Sequence, residues 1–170
     1  MKKSNKKGFT LVEMLVVIAI IAILVAIIIP TVTSATSKAA AATNAANLRS
    51  YMAEVTTAYL AKDKTTDTTP VEKVSVAATA ESDGSYKVTV KGIEVPKFKD
   101  VGNVKFSKVT EITTTYTEAG GFKCMIAADN NGAAGSTAEY SIDSFAAAAD
   151  SGELKKDSEL NKAETPKNPG

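Results

Sequence analysis

Glu13 stands inside FTLVEMLVVIAIIAILVAIII, an apolar run from Phe9 to Ile29. An ionised carboxylate is costly in hydrocarbon, and less so near a span's end, where its stem lets the head reach water. Such a group is either tolerated near the membrane surface or held ready for a cation. No Lys or Arg occurs between Gly8 and Lys38 to supply one. A cut between Gly8 and Phe9 would create one, because the free amine of Phe9 carries a positive charge. Gly8 has no side chain, so a protease can approach the backbone closely there. The apolar run begins after the cut and would survive it. An amine and a carboxylate, both poorly hydrated, would attract strongly across neighbouring chains.

Other candidate chemistry is weaker. The chain has no His, which removes imidazole acid/base catalysis and imidazole metal ligands. Ser and Thr are abundant, but a nucleophile needs an activating base within reach. Cys124, the single cysteine, lies in the strand-like run FKCMIAA and reads as a buried thiol. The pair Asp63/Asp67 sits in a polar stretch and reads as solvated. DNNGAAGST offers Asp129 and Asn131 but lacks the later Glu of an EF-hand, so a Gly/Asn turn is expected. No enzyme activity, cofactor or metal is expected.

These residues sit on elements that the pattern also indicates. The run of about 21 residues spans about 31 Å as a helix, close to the hydrocarbon thickness of a bilayer. It is longer than a secretory signal core, and no small-residue cleavage site follows it. Lys2, Lys3, Lys6 and Lys7 precede it without an acid, which places them on the cytoplasmic side. The net charge is +1, and the remainder of the chain holds 16 basic and 19 acidic residues. No basic face of the kind a nucleic acid requires is evident, and none is expected as a partner.

KKGFTLVEMLVVIAIIAILVAIIIP resembles the start of type IV pilins and of their relatives, the type II secretion and competence pseudopilins. Gly8, Phe9, Thr10, Leu11, Val12 and Glu13 match the family pattern one by one, and Pro30 falls at the family's proline. The resemblance covers about 30 of 170 residues. It implies a class III signal peptide, with residues 1–8 removed by a prepilin peptidase at Gly8/Phe9. It implies N-methylation of Phe9, an assembly role for Glu13 and a helix kink at Pro30. The implied partners are further copies of the chain, the peptidase and a membrane assembly platform. The implied location is the cytoplasmic membrane first and a surface pilus afterwards. Ala22 departs from the pattern, since many members carry glycine there.

The remaining chain fits a pilin fold of α+β class, a long N-terminal helix packed on an antiparallel sheet. Residues 9–30 are expected as the membrane and polymerisation helix, and 31–62 as its amphipathic continuation. Leu48, Met52, Val55 and Tyr59 recur at helical spacing and form a stripe. The Ala/Ser/Thr surface at 34–47 suits close helix approach. From residue 71 the period changes to two: VEKVSVAAT, SYKVTVKGIEV, VKFSKVTEITTTYT and FKCMIAA read as strands. Asp83-Gly84 signals a hairpin. AEYSIDSF is expected as a last strand and FAAAADSG as a helical turn. The head is thus placed at 63–149 and a loosely attached polar tail at 150–170. A major filament subunit is the first reading, for adhesion or motility. A minor pilin with an adhesive or DNA-binding head and a pseudopilin are the alternatives.

Overall fold

The computed structural model describes residues 8–61, 75–102, 104–106, 109, 111–129 and 137–160, with the side chains of Asp129 and Thr137 excepted. The expected loop at 62–70 and the Asn131 loop lie outside the described residues.

Helix α1 runs from Leu11 to Ala61. The chain divides into two compact units, residues 1–36 and 37–170. In the first unit every residue from Gly8 to Thr36 is exposed. The helix is apolar on all sides there, the pattern of a helix whose surroundings are lipid or other helices rather than its own fold. It continues through Pro30, which cannot donate the usual bond to the carbonyl four residues back. Just after Pro30, the Thr31 hydroxyl donates to Ile28 O at 2.7 Å and the Thr33 hydroxyl to Ile29 O at 2.9 Å. Both hydroxyls are thereby satisfied within the helix. Ala22 lies within the same helix.

The second unit is a layer of helix on sheet. Five strands among the described residues, β1 (Ser75–Ala80), β2 (Tyr86–Lys91), β3 (Ile112–Thr117), β4 (Gly121–Asp129) and β5 (Thr137–Ser141), pair antiparallel in chain order. Register places Val76 opposite Val90, Val88 opposite Thr114, Thr114 opposite Cys124, and Ile126 opposite both Ile112 and Tyr140. These residues share one face by the strand period of two, and that face carries the core. The β1–β2 turn is at Asp83-Gly84 as expected. Gly84 adopts φ 84°, and the Asp83 carboxylate accepts from Ser85 N at 2.9 Å and from its hydroxyl at 2.6 Å.

The helix stripe is confirmed and extended. Leu48 and Val55 are fully buried, and Met52 and Tyr59 are partly so. Tyr59 packs on Tyr116 and Phe122, with centroids at 5.5 and 5.1 Å. The stripe also continues upstream through Ala41, Asn44 and Ala45. Part of the small-residue surface expected to face other helices is therefore covered by the chain's own head. Asn44 explains why. Its side chain accepts from Lys99 N at 2.8 Å and donates to Lys99 O at 2.7 Å, and Asn47 donates to Lys97 O. Small neighbours let the connection between β2 and β3 lie close enough for these bonds.

That connection differs from the sequence expectation. Residues 104–111 were expected to extend β3, but β3 begins only at Ile112. Val101 and Val104 instead bond to each other across Gly102, whose φ of 59° makes the reversal. Asp100 accepts from Phe106 N at 2.9 Å and closes the turn. Phe98, Val101, Val104 and Phe106 then point into the core, with Phe98 stacked on Phe145 at 6.4 Å.

The last strand also ends earlier than expected. Ser141 is the N-cap of α2 (Ile142–Ser151), accepting from Ser144 N, while Ser144 Oγ accepts from Ser141 N at 3.2 Å. This reciprocal cap turns strand into helix at Ser141. Gly152 ends α2 in a left-handed conformation, its N–H bonded to Ala148 O at 2.8 Å. The segment beyond is not loose as far as Leu160. A short helix, α3 (Asp157–Leu160), lies against β5, and Leu154 packs on the core. Asp157 is buried and accepts from the Ser141 hydroxyl and from Lys123 Nζ at 2.8 Å.

Candidate functional site

The site suggested by the sequence is the start of α1. Gly8, Phe9 and Thr10 precede the helix, and all three are exposed, Phe9 at 80%. A Cβ placed on Gly8 would meet nothing within 4 Å. This chain's own packing therefore does not require glycine there.

Thr10 and Glu13 form one unit. Glu13 Oε2 accepts from Thr10 N and from the Thr10 hydroxyl, each at 2.8 Å. Thr10 Oγ1 in turn accepts from Glu13 N at 3.2 Å. This is a capping box: the first residue's hydroxyl and the fourth residue's carboxylate satisfy backbone N–H groups that a helix start leaves unpaired. Met14 N to Thr10 O, at 3.3 Å, is the bond that joins Thr10 to the helix. The carboxylate also lies at the positive end of the helix dipole. Glu13 therefore has a partner within its own chain, in addition to the one in another chain expected from the sequence. The signal was present as T-x-x-E immediately before an apolar run.

Glu13 thus has a local answer to its cost in an apolar segment. Both hydrogen bonds fall on one carboxylate oxygen, Oε2. The opposite oxygen, Oε1, takes part in neither. Pro30 is 17 positions beyond Glu13 in the same helix, and the structure brings no other expected site residue near the Gly8–Glu13 group.

Elsewhere, several titratable groups among the described residues are held by burial or hydrogen bonds. Cys124 is buried in β4 beside Thr114, with 3.5 Å between Sγ and the hydroxyl. Burial pushes its thiol up from the ordinary value, against a smaller opposing effect of the Thr114 contact. Tyr51 and Tyr140 are likewise pushed up, chiefly by burial. The N–H of Phe106, and next Lys105, hold Asp100 below the usual carboxylate value. No group of three or more acids or cysteines is placed to hold a metal ion among the described residues. Lys87, Lys91, Lys97, Lys99 and Lys105 are exposed.

The α1 segment is the one helix among the described residues long and apolar enough to cross a membrane. Compared with models of known families, residues 3–29 match the prokaryotic N-terminal methylation motif. The match marks a class III signal peptide of type IV pilin-like proteins. It ends one residue before Pro30 and includes Gly8, Phe9, Thr10 and Glu13. Comparisons with curated proteins and with solved structures find no match.

Proposed function

We propose that this chain is the structural subunit of a type IV pilus-like filament. It is made as a single-pass membrane precursor and cut between Gly8 and Phe9 by a prepilin peptidase. The Phe9 amine is methylated, and the mature chain polymerises through residues 9–30 into a surface fibre that displays the β-sheet head. The observation that carries this reading is the methylation motif at 3–29, on a helix whose apolar residues the fold leaves exposed on every side. Water does not stabilise such a surface, whereas lipid and then the helices of further copies do. Residues 1–8 are the leader, 31–62 the amphipathic helix, 63–149 the head and 150–170 the polar C-terminal segment.

Glu13 works twice in this account. It caps α1 within each chain, and its charge draws the Phe9 amine of an adjacent copy as that copy leaves the bilayer. The pairing sets axial register, because an unpaired charge in an apolar filament core is strongly disfavoured. Glu13→Gln separates the two roles, since glutamine also serves a capping box but carries no charge. The variant should insert and be cut normally while filament yield falls sharply. Wild-type filament yield from Glu13→Gln would refute charge pairing.

The reading as a whole is tested by shearing surface filaments and measuring the subunit's N-terminal mass. A subunit starting at methylated Phe9 and dominating the preparation supports it. The chain found as a trace component points to a minor pilin instead. A chain retaining residues 1–8 overturns the reading.

A further inference from the structure

The capping box governs the conformation of the peptide bond next to it. The residues after Thr10 are strongly apolar, and an apolar segment in lipid gains by making every backbone hydrogen bond it can. Lys6 and Lys7 are good helix formers, so Gly8 is the only residue of KKGF strongly adverse to a helix extending upstream. Yet α1 starts at Leu11. Thr10 stops it there. Its N–H is taken by Glu13 Oε2, and its hydroxyl occupies the N–H of Glu13, so helical bonding does not pass upstream. Gly8 and Phe9 are left non-helical and exposed.

Proteins that read a peptide segment as an added strand do so through its backbone N–H and C=O groups, which a helix would conceal. We propose that Thr10 is a positioning residue for processing. By capping α1 it holds Gly8–Phe9 in the non-helical state, backbone groups exposed, that the peptidase binds. The inference rests on the reading above that the chain is cut between Gly8 and Phe9. It assigns the role to the Thr10 hydroxyl, acting through the backbone and not by touching the scissile bond.

The consequence is a binding defect when the cap is lost. If only the non-helical form binds, apparent affinity falls by the fraction of precursor that leaves that form. Loss of one N-cap corresponds to roughly a fivefold change in that equilibrium. The test uses the full-length precursor in membranes with a prepilin peptidase, following the release of residues 1–8 over time. Thr10→Val keeps the shape and removes the hydroxyl. It should raise KM about two- to fivefold, within that limit, and leave kcat unchanged. Thr10→Ser restores the hydroxyl and should restore KM. Unchanged KM in Thr10→Val, or a defect that Thr10→Ser does not repair, overturns the inference while wild-type cleavage leaves the functional reading standing. A wild-type precursor that is never cut at Gly8/Phe9 overturns the functional reading itself.

Discussion

Asp157→Ala should release the C-terminal segment from the head without unfolding the sheet. The Asp157 carboxylate takes the Ser141 hydroxyl on Oδ1 and Lys123 Nζ on Oδ2. The two contacts have unequal weight. Ser141 is 3% exposed, so its hydroxyl loses a charged acceptor in a buried setting, which costs about 1.5–3 kcal/mol. It retains only long contacts with Ser144, at 3.4 and 3.5 Å. The Lys123 side chain is 49% exposed, so water screens that pair and its share is under about 1 kcal/mol. Together the loss is about 2–4 kcal/mol, a rise of roughly 30- to 1000-fold in the local opening equilibrium. Hydrogen exchange measured by mass spectrometry on the full chain in detergent micelles reads this directly. Peptides covering 142–160 should lose protection by that factor, while those covering β2 and β3 keep theirs. Lys123→Met should change the same peptides less than about fivefold. Equal effects of the two substitutions would refute the division of roles. Unchanged protection of 142–160 in Asp157→Ala would refute the clasp altogether.

Other perturbations follow from the same packing. Phe145→Ala removes a fully buried ring that meets Phe98, Phe106 and Tyr140, and should cost about 3–5 kcal/mol in denaturant unfolding of the head. Asn44→Ala strips both bonds to Lys99 while α1 stays helical. The β2–β3 connection should then be cut faster in limited proteolysis, with far-UV circular dichroism unchanged. Asp100 lies below its usual value when folded, so its contribution is present above the ordinary carboxylate range and lost as pH falls through the lowered value. The Phe106 amide resonance should shift in that acid window, and in Asp100→Asn the shift should vanish. The Cys124 thiol holds its proton in the fold at pH values where an unfolded thiol has lost it. Head stability should therefore fall as pH rises above the ordinary cysteine value, and Cys124→Ala should remove the part of that slope that precedes the range where the buried tyrosines add their own.

The N-terminal segment was legible in the sequence because its determinants are local. A span's length and apolarity, the lysines before it, the Gly-Phe pair and a carboxylate four residues on are all read along the chain without knowing the fold. The capping box was equally local and equally legible as T-x-x-E, which makes Thr10 a nearer partner for Glu13 than any cation of another chain. The strands were legible as well, since a half-buried sheet imposes a period of two on its residues. Asp83-Gly84 marked its turn for a similar reason, because few residues adopt a left-handed backbone as readily as glycine. What only tertiary structure decided was where alternating residues stop being a strand. Val104 and Phe106 alternate as strand residues do, yet both are buried before β3 begins, and Phe106 packs on Phe98 of the same connection and on Phe145, a residue distant in sequence. Burial of Ala41 and Ala45 under the β2–β3 connection depends on Asn44 reaching Lys99, 55 residues away. The hold on the C-terminal segment depends on Asp157 meeting Lys123 and Ser141, at 34 and 16 residues' separation. Periodicity records which side of an element is dry, and no pattern within one element records which distant partner makes it so.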